Sequence, residues 1–499
     1  MDVFDFRQQL VNEYERFTRS FTRIRAEDIR AFVDAQYGSQ RYWPEPLIQV
    51  NPNFKSGGTV EKLVADGQLS PACADIFRLG KSASSAGFTL PLHKHQAEAI
   101  SLAAAGESYV LTTGTGSGKS LAYFIPIVDA CLKAKAADPT ARTRAIVIYP
   151  MNALANSQLE ELKKFLGPDP AQRPVTFGRY TGQESDKERQ DISANPPDIL
   201  LTNFMMLELL MTRQSDVDKA VMRNAKGLRF LVLDELHTYR GRQGADVALL
   251  VRRVREDLSD QLICIGTSAT MATDGTQADR NAIVAGVASR LFGVRVPERN
   301  VITETLRRAT PERETIESVR PRLGPAIRAG VPHDLDYAAM ALHPVSAWVE
   351  LTLGLSYEED KPRRARPSTL ADAAKALHRD SGEPLDACLA YLQAFLLRAY
   401  KVEDETGKAL FAFKLHQFIA GGGKVFATVE PSGQRAITLD GQQFVAGDEE
   451  RRRRYYHVHF CRDCGQEYMP VWDAEGPEGR LFDVRNIDER QHDDDQVKF

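Results

Sequence analysis

Ten residues constrain this chain more than any others: Leu111-Thr-Thr-Gly-Thr-Gly-Ser-Gly-Lys-Ser120. A short apolar run, Tyr109-Val-Leu111, leads into them and reads as a buried strand. Leu121-Ala-Tyr-Phe-Ile125 follows and reads as the start of a helix. Strand, glycine-rich turn, Lys-Ser and helix make a phosphate-binding loop. The glycines let the backbone turn sharply and aim successive N–H groups at phosphate oxygens. The new helix adds its unpaired first N–H groups and the positive end of its dipole. Thr115, Gly116, Ser117 and Gly118 are therefore expected to cradle the phosphates of ATP. Lys119 is expected to reach the β- and γ-phosphates, and Ser120 to supply a hydroxyl ligand to Mg²⁺. The strict pattern has glycine where this chain has Thr113.

A chain of 499 residues has room for roughly two to four domains. Hydrophobic content of 43% and charged content of 26% fit a soluble globular protein. No apolar run approaches the roughly eighteen residues of a membrane span. The opening Met1-Asp-Val-Phe-Asp-Phe-Arg7 has no basic stretch followed by an apolar one, so no secretory signal is expected. Six cysteines, most of them scattered singly, make no disulfide framework. A cytoplasmic protein with reduced thiols is the expectation. A net charge of −4 neither supports nor excludes nucleic acid as a partner. A DNA-binding surface would be a local basic stripe on a mildly acidic body.

In chain order, residues 1–85 read as a helical N-terminal region. Phe6, Leu10, Tyr14 and Phe17 recur at helical spacing and predict one buried apolar stripe. Residues 86–298 then carry Ala145–Tyr149, Pro174–Phe177, Ile199–Thr202, Leu228–Leu233 and Leu262–Gly266. These are β-branched apolar runs without alternation, as in strands buried on both faces. Alternation with helical text predicts an α/β fold with a doubly wound parallel sheet. Ligands of such sheets bind at the carboxyl ends of the strands.

The remaining motifs stand at those ends. Gln96 falls at the front of a helix just ahead of the phosphate loop, where its amide can pair with the edge of adenine. Asp234-Glu235 ends a strand. Asp234 is expected to hold Mg²⁺, directly or through water, and Glu235 to orient the water that attacks the γ-phosphate. Thr267-Ser268-Ala-Thr270 ends another strand, where small hydroxyl residues, Ser268 and Thr270 among them, can hydrogen-bond the acidic tip and sense its state; alone this is a Ser/Thr turn.

Gly116-Ser-Gly-Lys-Ser120, Asp234-Glu-Leu-His237 and Ser268-Ala-Thr270 together resemble the superfamily 2 helicases. A small residue in place of the first glycine is the form these ATPases use. Tyr149-Pro-Met-Asn-Ala-Leu-Ala-Asn-Ser-Gln158, Arg179-Tyr-Thr-Gly182, Leu201-Thr-Asn203 and Asp234-Glu-Leu-His-Thr-Tyr-Arg-Gly241 narrow the resemblance to the YprA/MrfA-type branch. That branch includes DNA-repair helicases and large helicases of bacterial phage-defence clusters. The resemblance implies a RecA-like ATPase domain that moves along single-stranded DNA, 3′ to 5′. It places Pro150, Asn152, Thr181, Gly182, Thr202 and Asn203 along the DNA track. Short hydroxyls, amides and exposed N–H groups there suit backbone contact without reading bases. Arg240 and Arg242 add charge to that track or sit in a solvated loop. His237 is the family's coupling position between nucleotide and DNA; the alternative is a capping or core histidine.

Residues 299–410 read as a helical insertion, with breaks at Pro321-Arg-Leu-Gly-Pro325 and a basic surface loop at 361–366. Residues 411–499 read as a strand-rich region. Within it Cys461-x-x-Cys464-Gly is half a Zn²⁺ knuckle, with His457 and His459 as the nearest substitutes for the missing pair. The alternatives are a vestigial knuckle or one completed beyond Phe499. No Gln-x-x-Gly-Arg-x-Gly-Arg text occurs. The arginines that complete a helicase ATP site are thus expected from a second RecA-like lobe, in a longer chain or a separate subunit. The expected function is the first motor lobe of an ATP-dependent DNA helicase, in DNA repair or antiviral defence. A nucleotide-dependent DNA-binding scaffold and an RNA helicase are the alternatives.

Overall fold

The apolar runs become one sheet of seven parallel strands. They are β1 (Tyr109–Thr112), β2 (Ala145–Tyr149), β3 (Phe177–Tyr180), β4 (Ile199–Asn203), β5 (Phe230–Leu233), β6 (Ile263–Ser268) and β7 (Val301–Thr303). Their order is β7-β1-β6-β5-β2-β4-β3, and every neighbouring pair is parallel. The structure is a computed structural model that describes every residue except 1, 22, 82–84, 115, 270–274, 359–360, 406, 422, 450–451, 477–478, 487–496 and 499.

Parallel neighbours require crossovers, and helices supply most of them. The helices that matter for the site are α1 (Lys94–Ala104), α2 (Lys119–Ala137), α3 (Asn152–Leu166), α4 (Phe204–Thr212), α5 (Gly241–Leu258) and α6 (Gln277–Phe292). Alternate strand residues enter opposite cores. Leu111, Val147, Leu201, Val232 and Ile265 join one cluster; Val110, Ile146, Leu200, Leu231 and Cys264 join the other. Burial on both faces is why these runs lack alternation. This is the RecA-like, doubly wound fold. β3 starts later than the text from Pro174 predicts, because the Thr176 N–H and hydroxyl both donate to Asp198 Oδ2, at 2.8 and 3.0 Å. β7 is too short to register as a periodic run.

The chain divides into two compact units, residues 53–307 and residues 1–52 with 308–499. In the first, Val60, Leu63, Cys73 and Phe77 pack into the same cluster as the sheet. In the second, helices Ile316–Ala329, Pro344–Val349, Leu370–Ser381 and Leu385–Lys401 enclose Trp348, which is fully buried. Strand Leu47–Asn51 lies antiparallel between Ser368–Thr369 and Ala412–His416. Strands Ile437–Thr438, Val425–Ala427, Tyr456–Phe460 and Glu467–Tyr468 form a further sheet.

Three expectations are corrected in this unit. Pro321 and Pro325 do not break the text: helix Ile316–Ala329 runs through both. Burial of Val319, Leu323 and Ile327 outweighs the N–H bonds the prolines forfeit. The basic run is no loop, since Lys361–Arg364 pairs antiparallel with Leu355–Glu358. Helix Val3–Ser20 forms, capped by Asp2 at 2.8 Å from the Phe4 N–H, but its stripe is not buried. Phe6, Leu10 and Phe17 are 47%, 42% and 58% exposed, and Val11 is the helix's one buried residue. Among the described residues no helix is long and apolar enough to cross a membrane.

Candidate functional site

The phosphate loop leaves β1 at Thr112 and enters α2 at Lys119. Gly118 caps that helix in the left-handed region, at φ +71°. A Cβ there would stand 2.6 Å from Gln96 Nε2, so only glycine fits. Gln96 is buried in the first turn of α1. Its Oε1 accepts the His93 N–H at 2.8 Å and its Nε2 donates to the Gly118 carbonyl at 2.9 Å. The glutamine expected to meet adenine thus also ties α1 to the loop. Thr113 turns its replacement of glycine to use. Its hydroxyl meets that of Ser117 at 2.7 Å, and its carbonyl accepts from Lys119 Nζ at 3.3 Å. Gly116 is left-handed at φ +81°, and the Ser120 hydroxyl lies against the buried Tyr123 phenol. Thr115 lies outside the described residues.

The acidic tip follows β5. Lys119 Nζ stands 3.9 Å from Glu235 Oε1. Asp234 accepts the hydroxyl of Thr267 on the adjoining β6. Burial pushes the Asp234 carboxyl above its ordinary value and the Glu235 charge adds to that, while Thr267 and Lys119 oppose it. Glu235 has φ +53°, rare for a side chain with a Cβ. That conformation is held from both sides. Its N–H donates to Thr267 Oγ1 at 3.2 Å, and its carbonyl accepts the Thr238 N–H at 2.9 Å. Leu236 packs where a Cβ on Gly266 would be, 2.2 Å away, so β6 needs glycine there.

His237 Nδ1 stands 3.3 Å from Ser268 Oγ and 3.2 Å from Glu235 Oε2. The structure therefore brings His237, Ser268 and Glu235 together. Of the run Thr267-Ser268-Ala-Thr270, Thr267 is the hydroxyl that grips Asp234, and Thr270 lies outside the described residues. Glu304, just past β7, was not foreseen at the site, yet its carboxylate accepts the Gly114 N–H at 3.1 Å.

The residues fit ATP and Mg²⁺. An ammonium, two carboxylates and a left-handed glycine loop meet at the carboxyl end of the sheet. Glu235 Oε2 is buried, and His237 Nδ1 is the nearest group able to donate to it.

The second expected group also sits at strand ends. Asn203 caps α4: its Oδ1 accepts the Met206 N–H at 2.8 Å, and its Nδ2 donates to Asn152 Oδ1 at 2.7 Å and to the Thr181 carbonyl at 3.1 Å. Asn152, Thr181 and Asn203 are thus one cluster. The Thr181 and Gly182 N–H groups are held by buried Glu184, at 2.6 and 2.9 Å. Thr202 is fully buried, its hydroxyl on the Tyr180 carbonyl at 2.6 Å. Pro150 precedes α3, and Arg240 and Arg242 are exposed at the start of α5. Exposed Met151 and Met205 stand next in sequence to Pro150, Asn152 and Phe204, an apolar addition the sequence reading missed.

The expected zinc site is not supported. Cys461 and Cys464 lie in a tight turn closed by the Gly465 N–H on the Cys461 carbonyl at 2.9 Å. Among the described residues no group of three or more His, Cys, Asp or Glu side chains gathers to hold a metal. Two thiols leave tetrahedral zinc half-ligated.

Comparison with known proteins agrees with this arrangement. Residues 93–278 match the DEAD/DEAH box helicase family. The chain is 22% identical to Druantia protein DruE of Escherichia coli, over 93% of this chain and 34% of that protein. It is 34% identical to the uncharacterized ATP-dependent helicase YprA of Bacillus subtilis, over 36% of this chain and 23% of that one. A crystal structure of the helicase MrfA bound to DNA is similar at 24% identity and a TM-score of 0.38, over 54% of this chain and 32% of that one. The chain thus spans about a third or less of these relatives, 34%, 23% and 32% of their lengths. The fold and the phosphate loop define a superfamily 2 helicase domain of the DEAD/DEAH box class. Within that superfamily, the similarity to YprA and DruE supports the YprA/MrfA-type branch.

Proposed function

We propose that this chain is the first motor lobe of an ATP-dependent helicase or translocase acting on single-stranded DNA. The observation that carries the reading is the convergence of Lys119, Glu235, Asp234 and Thr267 at the carboxyl end of one parallel sheet. ATP bound there supplies the phosphoanhydride bond, and Mg²⁺ supplies a Lewis acid for its oxygens. Lys119 binds the β- and γ-phosphates. Asp234 and Ser120 hold the cation. Glu235 orients water through Oε2 and takes up its proton. His237, between Glu235 and Ser268, relays the state of the acidic tip toward the nucleic-acid track.

That track runs past Pro150, Asn152, Gly182 and Asn203, with Arg240 and Arg242 adding charge; Thr202 is buried beneath it, and Thr181, spent on Glu184, supports it from below. Asn203 spends both its amide N–H groups on Asn152 Oδ1 and the Thr181 carbonyl, and so holds Asn152 to offer its own Nδ2 to a phosphate oxygen, a contact that carries no sequence information. A second RecA-like lobe, in the same full-length protein or another subunit, supplies the arginines that complete the site. The resemblance to DruE, a Druantia protein, supports a role in antiviral defence, and DNA repair is the other setting of this branch. A cytoplasmic location fits the free cysteines.

Competition binding tests the choice of DNA. The chain, with Mg²⁺ and a non-hydrolysable ATP analogue, is offered a labelled single-stranded DNA and unlabelled DNA or RNA of the same sequence. Stronger competition by DNA supports the reading. Preference for RNA identifies an RNA helicase, and binding of neither contradicts the reading.

A further inference from the structure

The first helix ends in two aromatic rings that face water. Phe17 and Phe21 are 58% and 63% exposed, their rings 4.8 Å apart and nearly perpendicular. Exposed rings clustered in this way mark a binding surface. They line a cleft of about 670 Å³ built from residues 17–42 and 423–460, all in one unit. That is the size range of small-ligand sites.

The walls have a particular chemistry. Tyr37 and Tyr42 stand 4.9 Å apart, and the His457 ring lies on the opposite strand. Burial, then the neighbouring His459 and Lys424, lower His457 to about 4, so its ring is neutral near pH 7. Three cations line the cleft: Arg19, Arg30 and Lys424. Asp34 is the acid among the lining residues, and Arg19 holds it. Arg19 also lies 5.2 Å over the Tyr37 ring. Lys424 is exposed and makes no ion pair among the described residues.

Ring faces with surplus cations are how proteins hold unstacked bases: the rings stack and the cations meet phosphates. An apolar peptide would use the rings and leave Lys424 without a partner, whereas Arg19 already meets Glu15 and Asp34, and Arg30 lies 3.8 Å from the exposed Glu27. We propose that this cleft is a second contact for single-stranded nucleic acid, separate from the motor track, in which a base stacks on Phe17 and Phe21 and Lys424 and Arg30 meet its phosphates. The contact is indifferent to sequence, because every base has a π-face. It rests on the reading that the chain works on single strands, and it deepens that reading by adding a site outside the ATPase unit.

Photocrosslinking tests it. An oligo-dT carrying 5-iododeoxyuridine is bound to the whole chain, irradiated, and the adducts are mapped by mass spectrometry. Adducts on peptides containing Phe17, Phe21, Tyr37 or His457 are expected. A Phe17→Ala/Phe21→Ala variant should bind oligo-dT about fivefold or more weakly. Both rings are exposed, so circular dichroism should show an unchanged fold. Lys424→Glu should weaken binding and flatten its salt dependence. Adducts confined to residues 53–307, with unchanged affinity in the Phe variant, overturn the proposal and leave the motor reading standing. Adducts confined to the cleft uphold it while removing the proposed track. A cleft that serves a protein segment instead gives neither adducts there nor loss of affinity.

Discussion

Thr267 holds both acids of the tip: its Oγ1 donates to Asp234 and accepts the Glu235 N–H at 3.2 Å. One hydroxyl on β6 therefore fixes the carboxylate meant for metal and the left-handed backbone of the residue meant for water. Thr267→Val keeps the shape and removes both bonds. It leaves a buried carboxylate short of a donor, at a cost of about 1–3 kcal/mol. The expected result is a lower melting temperature and at least tenfold slower ATP turnover, with nucleotide affinity little changed. Thr267→Ser should restore most of both. Steady-state ATPase assays and thermal melts report the two effects separately.

Lys119 and Glu235 should fail differently. Lys119→Ala removes the charge that meets the phosphates, so binding of a fluorescent ATP analogue should fall at least tenfold in a folded protein. Glu235→Gln keeps the shape and loses the base, so binding should persist while turnover stops. Two variants that both hydrolyse ATP like the parent would show that the site lies elsewhere.

Gly118 and Gln96 form a matched pair. Gly118→Ala puts a methyl group 2.6 Å from the Gln96 amide and forces φ +71° on a residue with a Cβ. The backbone term alone is about 1–2 kcal/mol. Nucleotide affinity should fall by more than tenfold. Adding Gln96→Ala to Gly118→Ala should relieve the collision, so the double variant should lose less than the two single losses combined. Full additivity, seen by isothermal titration, would mean the two residues do not meet.

The second unit should weaken in acid through Asp28. Its carboxylate is bound by Arg435 at 2.7 Å and by the Gly433 N–H at 3.0 Å, and Arg435 above all holds it well below the ordinary carboxylate range. A depressed folded value contributes stability above the unfolded value, about 3.9, and that stability is lost as pH falls toward the folded one. Asp28→Asn should lower the melting temperature by a few degrees at pH 7, and the gap should begin to narrow below about pH 4 and keep shrinking down to about pH 2. A gap that stays constant down to that pH would contradict the assignment.

The sheet and the geometry of the candidate ATP site were legible because both leave marks in local text. Strands buried on both faces must be apolar throughout, and Ala145–Tyr149 shows it. A phosphate loop needs Gly118 and Lys119 in a fixed order whatever surrounds them. What failed to show depended on neighbours. The helical period of Phe6, Leu10 and Phe17 correctly grouped them on one face, but periodicity does not say what covers that face. Thr267 and Ser268 are adjacent hydroxyls on a strand and point opposite ways, so the sequence could not choose the one that meets Asp234. Glu304 reaches the loop from a strand far along the chain. Pro321 looked like a stop because local propensity omits the core that Val319 and Leu323 fill. Cys461 and Cys464 resembled a metal site because the spacing alone says nothing of the other two ligands.

The central claim is that this chain is one lobe of a two-lobed DNA motor. The most direct test is ATP hydrolysis with single-stranded DNA, by the chain alone and with a polypeptide carrying a second RecA-like lobe. The account predicts nucleotide binding with feeble turnover alone, and DNA-stimulated turnover once the second lobe is present. Full DNA-stimulated hydrolysis by the chain alone, or none with the second lobe added, would contradict it.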